Sequence, residues 1–395
     1  MKKIVYALCA SLFVALASCG GGGGSTAANN GGGVGSGGTG ITGGSVGTVA
    51  GFGSIFVNGT RYDIDNATLT LGDDAALQLG MSVKVLGTLS TDRSSGVATS
   101  VESQAEAQGE VSGLNPAAGT FRVEGLDVST DSETIYQGIT ALSQLANGDW
   151  VKLYGQAWGN GELRASRIEK VSASAARVLS GTVGSLNTTA KTFVLGNHTV
   201  SYALATFSGA LTASTLQDGQ VVRVRSSSAP VLGVLTASRI GLWYPLPTTE
   251  SAPLSVAGIV TNFTSLSSTF KVLGYSVNAS GAQLTGGTVA ALGNGVKVEA
   301  TGTLQNGVVV ASKLALRQIP GTPGIARFTA SGPVTNFVSA ADFKVQGQSV
   351  NASGMAVTFS GGTVGQLSTR AVKVTVVGSQ VLNGVLVADT VTFVP

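Results

Sequence analysis

Chemistry-bearing residues are scarce: the 395-residue chain has two Cys and one His. Metal centres and activated nucleophiles draw heavily on those two residue types, so most such chemistry is excluded before any motif is sought. Charge is thin as well, at 11% Asp, Glu, Lys and Arg, against about 25% in an average chain. With so little charge and 43% hydrophobic residues, the chain does not belong to the highly charged disordered class. It lacks the heptads rich in Ala, Glu, Lys and Leu that a coiled coil requires. Proline is sparse, at 9 residues, and aromatics make up 6%. Glycine is in excess, with 57 residues, roughly twice the usual share of about 7%. The length suggests about two or three domains.

Lys2 and Lys3 precede an apolar run from Ile4 to Val14. That run is too short to span a bilayer but suits the apolar stretch of a signal peptide. Leu16-Ala17-Ser18-Cys19 follows and resembles the bacterial lipobox, where the signal is cut before a Cys that then carries acyl chains. Residues 1–18 are therefore expected to be a lipoprotein signal peptide, and Cys19 the lipidated residue. Gly20 stands where an Asp would imply inner-membrane retention, so the resemblance implies the outer membrane. Cys9 leaves with the signal, and the mature chain then has no free thiol and no disulfide to rely on. Residues 19–44 read as the lipidated Cys and a flexible tether, because 14 of the 25 residues from Gly20 to Gly44 are Gly. Such a coil has a mean span of about 25–30 Å. Gly43-Gly44-Ser45-Val46-Gly47 fits the G-x-S-x-G hydrolase pattern. That elbow needs a strand before it and a helix after it, and a glycine tract stands there instead.

The remainder repeats itself. Gly-x-Val recurs at Gly47, Gly109, Gly181, Gly258 and Gly332, at spacings of 62, 72, 77 and 74 residues. Each is followed by a second strand, as in Phe121-Arg122-Val123, Phe193-Val194-Leu195, Phe270-Lys271-Val272 and Phe343-Lys344-Val345. A fourth strand alternates apolar and basic: Val83-Lys84-Val85, Val151-Lys152-Leu153, Val222-Arg223-Val224, Val296-Lys297-Val298 and Val372-Lys373-Val374. Each unit holds about five short strands of period 2, bounded by Gly and Asn turns. Closure into a small barrel removes bare edges from so short a sheet. The expected fold is all-β: a tandem array of small five-stranded, OB-like Greek-key β-barrels at 45–106, 107–174, 175–245, 251–319 and 326–395. The third-to-fourth connection is the place for a helix or loop. A small open sandwich is the alternative, and a transmembrane barrel fits worse because its strands need about 9–11 residues. Pro245, Pro247 and Pro253, then Pro320 and Pro323, mark linkers. Semi-rigid linkers of that kind predict an extended array.

Gly51-Phe52-Gly53-Ser54-Ile55-Phe56-Val57-Asn58-Gly59, then Tyr62-Asp63, then Leu79 to Gly87, resemble the bacterial envelope repeat called domain of unknown function 5666. The resemblance is most specific in the first unit. Units three to five lack the Gly-Phe-Gly-Ser turn. It implies fold and envelope location, and carries no activity.

In strand four of unit two, Val151 and Leu153 pointing inward would turn Trp150, Lys152 and Tyr154 outward, with Trp158 just beyond. Exposed aromatics beside a cation form a stacking platform for sugars or bases. The other reading is that a neighbouring unit packs on them. The basic residues Lys84, Lys152, Arg223, Lys297 and Lys373 recur on the outward face, as candidate polyanion contacts or as guards against edge pairing. His198 lies in a turn and is expected at the surface. Asp63, Asp65, Asp73 and Asp74 do not have calcium-loop spacing and read as a solvated face. No catalytic residues, metal or cofactor are expected.

The function expected is non-enzymatic: an envelope or surface lipoprotein acting as a structural or binding module. A polysaccharide- or polyanion-binding protein is the alternative, and a cryptic hydrolase the second. The partners expected are the membrane, through the anchor, and envelope polysaccharide, a polyanion or another envelope protein, without specific nucleic-acid recognition. From Gly44 to Ser174 there are 8 basic and 15 acidic residues, and from Ala175 onward 13 and 5. An extended array would hold an acidic and a basic end apart, ready for an anionic surface.

Overall fold

The computed structural model describes residues 41–394, apart from 73, 159–160, 248, 319–326 and 370. The expected signal peptide, Cys19, most of the stretch read as tether and the Pro320–Pro323 segment lie outside the described residues. Among the described residues all regular structure is strand, apart from three short 3₁₀ helices. The first strand, Ile41–Phe52, begins inside the stretch read as tether, because Ile41 to Gly44 pair with Leu86 to Leu89.

The same pairing cycle recurs in all five repeats. In repeat 1, Ile41–Phe52 lies antiparallel to both Ile55–Val57 and Ser82–Leu89. Ile55–Val57 pairs with Thr60–Asp63, which runs parallel to Ser95–Ser103. Ser95–Ser103 then pairs with Ser82–Leu89. The order is first, second, third, fifth, fourth and back to first. Repeats 2 and 4 follow it with whole strands. Repeats 3 and 5 follow it with some strands broken in two. Each repeat adds a short sixth segment, such as Thr68–Thr70 or Ile135–Gln137, parallel to the far half of the fifth strand. That segment covers an edge the third strand is too short to reach. The 3₁₀ turns Leu142–Gln144, Val289–Ala291 and Val364–Ser368 fall between strands three and four. The second-strand aromatics Phe121, Phe193, Phe270 and Phe343 are fully buried, each opposite a third-strand valine, and Ile55 opposite Tyr62 holds the place in repeat 1.

The repeats do not form an extended array; 40–395 is one compact unit. One core joins repeats 1 and 5 and takes in Ile135 and Tyr154 of repeat 2, another joins 2 and 3, and the third is that of repeat 4 with Val46, Trp243 and Tyr244. The first strand of repeat 1 runs parallel to that of repeat 4 at Gly44–Val46 and to that of repeat 5 at Gly51–Phe52. Gly51 and Gly53 make the second approach possible: a Cβ on either would collide with the carbonyl oxygens of Thr329 and Ser331, and Gly53 has φ +118°. Linker stiffness is outweighed by apolar faces and ion pairs that only a neighbouring repeat can cover.

Candidate ligand site

Strand four of repeat 2, Trp150–Trp158, is covered on both faces for most of its length. Its inward residues fill the repeat's own core, and its outward residues meet other repeats: Lys152 and Tyr154 face repeat 1, Trp150 faces repeat 3 and Gln156 faces repeat 4. Tyr154 has no exposed surface, and its hydroxyl donates to Asp74. Burial, reinforced by that carboxylate, pushes the phenol far above its ordinary range. Lys152 sits between Asp74 and Glu169, 3.0 Å from the latter. Beside it, the fully buried Arg167 donates to Glu169 at 2.5 Å and to the Leu79 carbonyl at 3.2 Å. Trp150 is buried under the Arg177 guanidinium, 4.9 Å from the ring centroid, and Glu124 holds Arg177 at 2.9 Å. Trp150, Lys152 and Tyr154 are therefore not an open platform. Repeats 1 and 3 occupy that face.

The recurring basic residues are largely spent in the same way. Lys84 pairs with Glu102 at 2.9 Å across strands four and five. Arg223 donates to the Ala105 carbonyl at 3.0 Å and lies 3.5 Å from Glu106, which also accepts from the Trp243 indole. Burial pushes the Glu106 carboxyl above its usual range, against the pull of Arg223 and Trp243. Lys297 pairs with Glu133 of repeat 2. Of the series only Lys373 is exposed, and it makes no ion pair among the described residues. The edge-guard reading falls too, because strand four is flanked by strands one and five in every repeat. Three acids of repeats 1 and 2, Glu106, Glu124 and Glu133, thus pair with bases further along, and at those points the two charge blocks meet rather than stand apart.

Trp158 alone of the aromatic row borders open space. It lines a recess of about 440 Å³ with Phe121 and Arg122 of strand two, Asp127 and Ser129 of strand three, and Glu162 at the start of strand five. The parallel register sets Glu162 beside Asp127. Arg122 neutralises Asp127 at 2.6 Å, while burial and then Asp127 raise the Glu162 carboxyl. Arg164 lies 6.0 Å from the Trp158 ring centroid and is itself fixed by Ser129 at 3.0 Å. The result is two aromatic rings, two carboxyls, a guanidinium and the hydroxyls of Thr120 and Ser129 around a shallow opening. The last paired positions of strand four in repeats 1 and 4 are Leu89 and Gln305, so those two repeats have no such ring.

Residues 44–102, 108–169, 180–241 and 257–315, more than half of the chain, match the family described as Domain of unknown function (DUF5666). The chain belongs to the DUF5666 family. Each matched DUF5666 segment runs from the first strand into the fifth, and the fifth repeat shares their pairing cycle outside the match. No curated protein matches the chain.

The other candidates of the DUF5666 chain resolve singly. Ser45 lies within the first strand, and its hydroxyl meets that of Tyr62 at 2.7 Å. His198 opens strand three of repeat 3 rather than standing free in a turn. It packs on Gly125 of repeat 2, and its ring nitrogens are buried without partners among the described residues. The acidic cluster is divided: Asp63 accepts from the Asp65 amide at 3.0 Å, while Asp74 faces Lys152, and Asp73 lies outside the described residues. No group of three metal-ligating side chains occurs among the described residues. Sequence reasoning missed Glu106, Arg167, Trp243, Asp127 and Glu162. Only the register of strands three and five brings the last two together.

Proposed function

We propose that this protein is a lipid-anchored, non-catalytic binding module of the bacterial outer envelope, and that repeat 2 carries a saccharide-binding site at Trp158. The strand order, with a parallel third-to-fifth pairing, supports reading each repeat as an OB-type Greek-key barrel. In that fold, strands two and three with the first-to-second and fourth-to-fifth loops form the usual face for oligonucleotides and oligosaccharides. The recess occupies that face in repeat 2, and this single observation carries the proposal. With Asp127 paired to Arg122, the remaining carboxyl of Glu162 disfavours a phosphate backbone, whereas sugar hydroxyls both donate to carboxylates and accept from Arg122, with a ring face on Trp158. Cys19 supplies the anchor, and the gathered repeats supply a rigid support.

An oligosaccharide array followed by calorimetry on the mature chain tests this reading. Trp158→Ala should weaken saccharide binding by about 1–3 kcal/mol, as loss of a stacking ring does, and leave the melting temperature unchanged. Unchanged affinity in that variant would remove the site. Turnover of a bound glycan that disappears with Glu162→Gln would make the recess hydrolytic instead.

A further inference from the structure

Lys152, Asp74 and Glu169 come from three separate stretches of chain and meet largely shielded from water. Register sets Glu169 of strand five directly opposite Lys152 of strand four. The Asp74 amide donates to the Leu71 carbonyl at 3.1 Å, in a turn that brings its carboxylate across from repeat 1. The Lys152 ammonium donates to Oδ1 of Asp74 and lies 3.0 Å from Oε2 of Glu169. The Tyr154 hydroxyl donates to the other Asp74 oxygen, Oδ2, while Arg167 holds the other Glu169 oxygen, Oε1, at 2.5 Å. Side-chain exposure is only 14% at Lys152, 6% at Asp74 and 9% at Glu169, so bulk water does not compete for these contacts. Lys84 and Lys297, at the same place in repeats 1 and 4, each pair with a single carboxylate among the described residues.

Amide formation needs a nitrogen in contact with a carboxyl, a base beside that nitrogen, and a donor on the oxygen that gathers charge. All three are in place. We propose that Lys152 and Asp74 condense into an isopeptide bond that ties repeat 2 to repeat 1, with Glu169 as the proton carrier. Burial works against the Lys152 ammonium, yet the two carboxylates outweigh it and raise the group overall. The reactive amine therefore arises by proton transfer to Glu169 inside the contact, not by titration from solvent. Nζ then attacks Cγ of Asp74, and the Tyr154 hydroxyl steadies the oxyanion on Oδ2. Glu169 delivers its proton to Oδ1, and the Cγ–Oδ1 bond breaks. Two of the three ammonium protons leave with Oδ1 as water, one stays on the amide nitrogen, and Glu169 is again a carboxylate. No oxidant or cofactor enters the balance. Contact replaces a chance encounter with an effective molarity that reaches about 10⁵–10⁸ M for well-oriented groups. Both thiols of the chain, Cys9 and Cys19, precede the folded body, so no disulfide within it could supply such a tie. The bond is independent of the saccharide recess and of the anchor.

Tryptic mapping of the full chain, purified folded and then denatured, tests the bond by mass spectrometry. Trypsin cuts after Arg61, Lys84, Arg122 and Arg164. Peptides 62–84 and 123–164 should emerge as one branched species, uncut at Lys152 and lighter by one water than their sum. Release of 62–84 and 123–152 as free peptides from the folded wild-type chain overturns the proposal, whatever the variants do. Asp74→Ala should free Lys152 for cleavage. A general base contributes about 10²–10⁴-fold to such a transfer, so Glu169→Gln should leave the two peptides mostly free at times when the wild-type chain is fully joined. Tyr154→Phe, which keeps the ring and its packing, should also slow the joining. Joining at the wild-type rate in both Glu169→Gln and Tyr154→Phe would overturn the assigned chemistry.

Discussion

Arg223 and Glu106 are both withdrawn from water, with Trp243 and the Ala105 carbonyl completing their hydrogen bonds. A buried pair of this kind is costly to break from one side, because the remaining charge is left in an apolar setting without a partner. Arg223→Met should therefore lower the unfolding free energy by about 3–5 kcal/mol in denaturant titration. Adding Glu106→Gln should recover much of that loss, since the stranded carboxylate is then gone. If the double variant is as unstable as the single one, the arginine stem and its packing on Tyr244, 5.1 Å from the ring centroid, matter more than its charge.

At the scale of strands and turns, the Gly-Phe-Gly-Ser run that is specific to repeat 1 has a physical role. Its glycines let the first strand of repeat 5 come within hydrogen-bonding reach at Thr329 and Ala330. Gly53→Ala adds a methyl group where the Ser331 carbonyl stands, at a φ that L side chains rarely adopt. Hydrogen exchange should quicken at 328–333 and stay unchanged in repeats 2 and 3. Uniform protection would mean that the seam is held elsewhere. The strands themselves were legible, because alternation around Phe121, Phe193, Phe270 and Phe343 marks an inward face without reference to anything distant. What the outward face meets was not legible. Alternation shows that Lys152 points away from its own core; it carries no sign that Asp74 of another repeat stands there. Trp158 was singled out by sequence for stacking, but its partners Asp127 and Glu162 lie 31 and 4 residues away and meet only through strand register.

Across the whole molecule, the charge blocks that a linear reading separates are complementary surfaces. Glu106 with Arg223, Glu124 with Arg177 and Glu133 with Lys297 each join an acid of the first two repeats to a base further on. Repeats 2 and 3 share one apolar core, and repeats 1 and 5 another. Units that share a core lose it together, so calorimetry of the intact chain should show fewer than five unfolding transitions, with repeats 2 and 3 melting as one. Five separable transitions would show that the shared cores add little to cooperativity.

The place where the chain enters this body also has a mechanical consequence. Ile41–Phe52 is the strand that any pull arriving from the N-terminal side would load first. It is clasped by Ser82–Leu89 over eight successive residue pairs, and on its other side by the strands of repeats 4 and 5. Ladder bonds lie across the strand axis, so tension along that axis shears them together instead of unzipping them one at a time. The fold therefore presents a strand braced on both sides to traction from the N-terminal side.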